Sequence, residues 1–389
     1  MTVNHWPDSF LDAMREIGDP PADAVIADLI DSGQTDAVNR MMRSLVENDD
    51  LVPADLPEIV RGYLDQSGTL PAWADPTLID RGQQAFLLHA PEIVLLLFYS
   101  SLPRAYAAKK GAQVLHMTRR LIGSYAWRRI IETAQFLVDV ATPGGLGPDR
   151  HGIRSAQKVR LMHAAIRHYL LRDPKWSSQW NPEWGKPINQ EDLAGTLMTF
   201  SSTIIDGMHK FGIRMYPDEA EGYLHTWKVV GHILGVRPDL LPVDVADAHD
   251  LSQTIFRRQW ASSEAGDELT HTLLDLMAAR TPRLVGGLPQ TALRYFAGRR
   301  AADVLGARRY DWTIVLLRAQ RIVFALADRI NHSSIGLGRL ARWLNLQILN
   351  GVLTAARGGN RPLFRIPDGL RATGLRVRPT HSFPRKPRR

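Results

Sequence analysis

The chain has 389 residues, 44% of them apolar, enough to bury a sizeable core, and carries a formal net charge of +8. It contains no cysteine, which excludes disulfides, thiolate metal sites, iron–sulfur clusters and a cysteine nucleophile. Any metal must therefore be held by nitrogen or oxygen.

The first eight residues, Met1-Thr-Val-Asn-His-Trp-Pro-Asp8, show neither a basic segment followed by an apolar one nor a twin arginine. No export signal is read there, and a cytoplasmic location is expected. Residues 8–65 alternate acidic helical segments with breaks at Asp19-Pro-Pro, Asp31-Ser-Gly and Val52-Pro-Ala, which suggests a helical cap. From Pro76 to Leu102 the pattern is helical and apolar. His89, Pro91 and Glu92 interrupt its most apolar part, which falls short of a bilayer span and reads as a buried helix. Ser101-Leu-Pro-Arg reads as a break. Residues 112–140 predict one long helix, or two in line joined at Gly123-Ser124. Thr142-Pro-Gly-Gly-Leu-Gly-Pro is a loop, and residues 154–172 form a helix stopped by Asp173-Pro174.

A Trp-rich stretch without period (Trp176, Trp180, Trp184) reads as a loop lying over the body. Further helices are expected over 191–206, 217–235, 247–262, 264–281, 289–298, 299–305 and 311–330. No alternating β-branched run bounded by turns occurs, so the chain is predicted to be all-α. The organisation expected is a cap over 1–75, one large helical domain over 76–345, and a basic extension over 346–389. Residues 357–389 hold ten Arg or Lys against a single Asp, so the remainder of the chain is nearly neutral. Such a tail reads as a disordered or surface-lying extension. No zinc-finger spacing or aromatic ribonucleoprotein motif accompanies it, and no nucleic-acid partner is expected.

Two helices carry side chains with chemistry. At about 100° per residue, His163 shares a stripe with Val159, Ile166 and Leu170, while Arg160 and Arg167 lie about 60° and 40° to one side. An imidazole among aliphatic groups leaves water on folding and needs a partner. It is either a core histidine bonded to a backbone carbonyl or a haem ligand with arginines placed for two propionates. On the preceding helix Arg129, Glu132, Thr133 and Phe136 fall at i, i+3, i+4 and i+7, so one face carries a cation, a carboxylate, a hydroxyl and a ring. That face is either a surface ion pair beside an amphipathic stripe or the wall of a cofactor site. His225 and His232, two turns apart, with Asp247 and His249 nearby, offer a non-haem metal site, but without Glu-x-x-His or His-x-x-x-His spacing. The glycine-rich loop lacks the flanking strand and Gly-Lys of a phosphate cradle, and no Gly-x-Ser-x-Gly elbow is present.

Several motifs in order, over roughly residues 75–345, resemble the rubber oxygenase (latex-clearing protein) family and the related fungal oxygenase of mycophenolic acid biosynthesis. They are Arg129-x-x-x-Thr133-x-x-Phe136, the Thr142-Pro-Gly-Gly-Leu loop and Lys158-Val-Arg-Leu-Met-His-Ala-Ala-Ile-Arg167. Asn189-Gln-Glu-Asp-Leu-Ala-Gly-Thr-Leu-Met-Thr-Phe-Ser follows, then His225-Thr-Trp-Lys-Val-Val-Gly-His-Ile-Leu-Gly-Val and Ala301-Ala-Asp-Val-Leu-Gly. The resemblance implies an all-α fold of globin-like character with a b-type haem. It makes His163 the proximal iron ligand and puts Arg129 and Thr133 on the distal side. It also implies O₂-dependent cleavage of a carbon–carbon double bond in a polyisoprenoid, and makes Trp227 and His232 pocket or core packing.

The chain departs from that family twice. Glu132 stands where rubber oxygenases carry a distal lysine, and Gln113 where they carry a carboxylate proposed as base. Gln cannot take a proton, which argues against polymer cleavage and leaves Glu132 as acid or base. The expectation is a haem-dependent oxygenase of an apolar, isoprenoid-like or other unsaturated substrate. The alternatives are a haem-dependent hydroxylase or oxidase of a small metabolite, a haem-binding sensor or carrier without turnover, and a helical interaction module that uses its basic tail.

Overall fold

Prolines and short polar side chains decide where the helices of this chain begin. In the computed structural model, which describes residues 6–32, 57–122, 126–147, 151–307, 310–333 and 335–356, every long element is helical. The Gly123-Ser124 joint and the tail at 357–389 lie outside the described residues. The N-terminal helices are α1 (Asp8–Arg15), α2 (Pro20–Asp31) and α3 (Glu58–Ser67). Next come α4 (Pro76–Leu88), started by Pro76 with the Asp75 side chain accepting from Thr77 N–H, and α5 (Ala90–Leu96). A π-helical turn at Leu97–Ser101 leads without interruption into α6 (Leu102–Tyr106).

The helical pattern expected over 76–102 resolves into two directions, with 83° between Pro76–Leu88 and Ala90–Tyr106. The cause is Pro91, which lacks an N–H and crowds the carbonyl four residues back, that of Leu87. The expected break at Ser101-Leu-Pro-Arg is not one. The π-turn ahead of Pro103 keeps the helix going, and Ser100 and Ser101 donate from their hydroxyls to the carbonyls of Phe296 and Thr199.

Then follow α7 (Ala112–Ile122), α8 (Ala126–Ala141) and α9 (His151–Arg172). The Trp-rich stretch after α9, expected as a loop, contains two short helical turns, Pro174–Ser177 and Pro182–Trp184, and is tied down: Trp180 Nε1 donates to the Gly185 carbonyl at 2.9 Å. Asn189 caps α10 (Gln190–Phe200) by accepting from Asp192 N–H. The helix expected over 191–206 bends at Ser201, whose hydroxyl bonds back to the Leu197 carbonyl at 2.8 Å, and α11 (Ser202–Phe211) starts there. The remainder are α12 (Pro217–Ile233), α13 (Val245–Gln259), α14 (Glu264–Ala278), α15 (Leu288–Ala297), α16 (Arg299–Val304), α17 (Ile314–Ser333) and α18 (Ile335–Ala356). Among the described residues the β pairing is one isolated bridge, Ala108 with Trp260, so the protein is a single all-α domain. No single described helix is long and apolar enough to cross a membrane.

The main core gathers Phe86, Leu96, Phe211, Tyr223 and Trp227 from α4, α5, α11 and α12. A second cluster joins α2 and α3 to α9 through Val25, Ile26, Leu29, Leu64, Leu161 and Leu170. Each fully buried aliphatic side chain stabilises the fold by about 1.5–3 kcal/mol. The pairing of α4 with α12 depends on two facing glycines. A Cβ on Gly82 would lie 2.2 Å from the Gly222 carbonyl oxygen, and one on Gly222 would lie 2.9 Å from Gly82 N. Gly82→Ala is therefore expected to lower the unfolding free energy by about 1–3 kcal/mol. A denaturant midpoint equal to that of the wild type would contradict this close approach.

Candidate active site

The sequence places an imidazole at the middle of α9 and a cation, a carboxylate, a hydroxyl and a ring along α8. The fold brings these two faces to one cavity. The space open to the centre of a water molecule is about 290 Å³, and the unfilled space between the walls, mouth included, is about 1730 Å³. The smaller figure is close to the lower end of small-molecule sites. Arg129, Glu132, Thr133 and Phe136 line it from α8, and Val159, Met162, His163 and Ile166 from α9. Phe200 of α10 and Trp227 of α12 close it with stacked rings, centroids 5.0 Å apart, and Phe136 meets Trp227 edge-on at 6.4 Å.

His163 is the exceptional group. Its Nδ1 is buried with no hydrogen-bond partner, so the backbone carbonyl that would satisfy an ordinary core histidine is missing. Burial, reinforced by the positive charges of Arg167 and Arg129, pushes its pKa down to about 3. The ring is thus neutral at physiological pH, the form that ligates metals. Arg129 is held below its ordinary value by burial, with the Glu132 carboxylate opposing the shift. Among the described residues no acceptor engages the Arg129 guanidinium. Thr133 donates its hydroxyl proton to the Arg129 carbonyl at 3.0 Å, so it presents lone pairs rather than a donor to any other neighbour.

Three sequence-level assignments sit elsewhere. Arg160 forms a two-pronged pair with Asp19 (2.6 and 2.7 Å) and also donates to the Ile233 carbonyl. Arg167 binds Asp23 at 2.8 Å and the Ile188 carbonyl at 2.7 Å. Neither lines the cavity, so the arginines that the helical wheel set beside His163 fasten α9 to the N-terminal helices instead. Gln113 also stays outside the cavity wall, its amide turned back to the Lys109 carbonyl.

The alternative metal site does not assemble. His225 Nε2 accepts from Asp75 N–H at 2.9 Å, and His225 and His232 pack edge-on around Trp73. His249 faces Asp206, and Asp247 accepts from Val243 N–H. Among the described residues no group of three or more His, Asp or Glu is arranged to hold a metal ion.

One part of the wall went unread in the sequence. Glu191 and Asp192, in the first turn of α10, also line the cavity. Glu191 is 0% exposed and receives Arg15 Nη1 at 3.1 Å, Arg258 Nε at 2.8 Å and Gln259 Nε2 at 2.8 Å. Asp192 receives Arg15 at 3.0 Å and the Asn189 amide at 2.9 Å, while burial raises its proton affinity. The only local signal was the Asn189-Gln-Glu-Asp cap. The arginines that make two buried carboxylates tolerable come from α1 and α13, far away in the sequence.

The family model described as ER-bound oxygenase mpaB/B′/Rubber oxygenase, catalytic domain, matches residues 82–329, about two thirds of the chain. The chain belongs to this oxygenase family. It is 29% identical over 290 residues to the rubber oxygenase of Streptomyces sp. (strain K30), covering 75% of this chain and 70% of that protein. It superposes on a structure of latex clearing protein LCP in the closed state with a TM-score of 0.69 at 26% identity, covering 91% of this chain and 95% of the other.

The Arg160–Asp19 pair is nearly sealed from water, and breaking such a pair strands a buried charge. Asp19→Ala is expected to lower the unfolding free energy by about 3–5 kcal/mol. A loss below about 1 kcal/mol, as for an exposed pair, would show that the pair is not a latch.

Proposed function

We infer that the chain is a haem-dependent oxygenase acting on an apolar, unsaturated small molecule. The observation that carries this is the imidazole of His163, neutral, unpartnered at Nδ1 and set in an apolar wall. A haem fits these residues, because it asks for one nitrogen ligand and apolar faces. His163 would hold it, and its iron would supply the activation of O₂.

The chain's own groups then divide the remaining work. The Arg129 guanidinium, on the adjacent helix, offers fixed donors to negative charge developing in the cavity. Glu132, beside Arg129, is the group that takes up or returns a proton at its carboxylate. Thr133, its proton committed to the helix, accepts rather than donates. Phe136, Phe200 and Trp227 shape an apolar bed that orients the substrate and excludes water. Arg160 and Arg167, engaged by Asp19 and Asp23, act on the site by holding α9.

Turnover of terpenoids and unsaturated lipids under isotopically labelled O₂ tests this reading. Cleavage of a double bond puts label on both carbonyl fragments, and label in one position of an intact product means hydroxylation. Oxygen drawn only from water, or no product from any alkene offered, would contradict it. Arg129→Leu is expected to lower turnover by about 10²-fold, the usual effect of removing one fixed donor to developing charge. An unchanged rate would remove Arg129 from the mechanism.

A further inference from the structure

The last two described helices have apolar side chains on both sides. Inward, Leu317 is buried and Phe324 packs on Phe211 with ring centroids 5.5 Å apart, while Asn345 donates to the carbonyls of Leu87 and Leu88. These anchors fix which face of the pair looks out. On that outer face of α17 lie Val315 (61% exposed), Leu316, Ala319, Ile322 (73%), Val323 (62%) and Leu326, spread over about 120° of the helix. Trp312, in the turn before it, is 56% exposed, and α18 adds Leu340, Trp343 and Leu344. A soluble surface rarely gathers so much apolar area, and two tryptophans among it mark an interface.

Positive charge predominates around this face, with Asp311 exposed at its edge. Arg318, Arg321 and Arg339 are exposed beside it. From residue 311 to 356 the acidic residues are Asp311 and Asp328. Asp311 accepts from Thr291 and Thr313, and Asp328 is buried. Beyond Asp328 the sequence contains one further acid, Asp368, and the ten basic residues of 357–389 follow directly on α18.

We propose that the outward face of α17 and α18 docks on an anionic lipid surface. Apolar side chains and tryptophan rings enter the boundary between headgroups and acyl chains, and the arginines meet lipid phosphates and carboxylates. A second copy of this chain is a poorer occupant, because a twofold contact would set arginine-flanked faces against each other. A groove-binding peptide is also a poorer occupant, because the residues form an open helix face. The docking goes beyond the oxygenase reading and does not depend on any cofactor.

Co-sedimentation of the full chain with phosphatidylcholine vesicles, with and without phosphatidylserine, tests this. Wild type is expected to bind the serine-containing vesicles at least about tenfold better, with binding falling as salt rises. The Ile322→Glu/Leu326→Glu double variant, checked for helical content, is expected to lose about tenfold or more of that binding. Quenching of wild-type tryptophan emission by lipids brominated in the acyl chains gives a readout that needs no variant, and it is expected only with anionic vesicles. No vesicle binding, equal binding to both compositions, or unchanged binding by the variant would overturn the proposal. So would a wild-type dimer in light scattering that the variant converts to monomer without any vesicle binding, since a second copy would then be the occupant.

Discussion

A buried ring nitrogen left without a partner costs a fold about 1–3 kcal/mol. His163 is in that state at Nδ1, at the middle of a 22-residue helix, and the surrounding structure is arranged so that nothing relieves it. Aliphatic neighbours from its own helix occupy the wall on either side, and burial, reinforced by Arg167 and Arg129, keeps the ring from protonating. A fold that needed only packing here would place leucine. A neutral nitrogen base facing a cavity is the observation on which the proposed metal-bearing cofactor rests.

Helix α9 works as a beam. One edge presents His163, and about 40–60° round the helix from it Arg160–Asp19 and Arg167–Asp23 fasten the beam to the N-terminal helices. Each pair leans on a glycine: a Cβ on Gly235 would meet Arg160 Nε and Asp19 Oδ2 at 2.6 Å, and one on Gly18 would meet Asp23 Oδ2 at 2.8 Å. Gly235 also has a φ of +84°, which side chains rarely adopt. Across the cavity, Arg15 of α1 holds Glu191 and Asp192 at the start of α10. The N-terminal helices thus act on the site through salt bridges at two walls, positioning groups they do not themselves supply.

Much of this was legible locally. The α8 face from Arg129 to Phe136 and the His163 stripe follow from helical period alone, and both reach the cavity. Asn189 was readable as a cap because the side chain and the N–H it satisfies lie three residues apart. Pro91 was visible as an interruption, but its consequence, an 83° turn, depends on how the flanking helices pack. The π-turn that carries the chain past Pro103 had no local signal. The helical wheel gave the side on which Arg160 and Arg167 lie but not the aspartates waiting there, about 140 residues upstream. Glu191 and Asp192 looked like ordinary first-turn acids for the same reason. Long-range ion pairs depend on tertiary neighbours, and no period in the sequence encodes them.

An apolar cavity and an apolar outer face on one protein are physically consistent, because a substrate that suits the cavity dissolves in lipid. The central claim nevertheless rests on His163. The most direct measurement is the absorption spectrum of the purified protein before and after dithionite, for wild type and for His163→Ala of unchanged helical content. A Soret band in the wild type that the substitution abolishes or strongly shifts is the result this account predicts. A wild-type protein that shows no Soret band even after reconstitution with haem, or a band indifferent to the loss of His163, would contradict it.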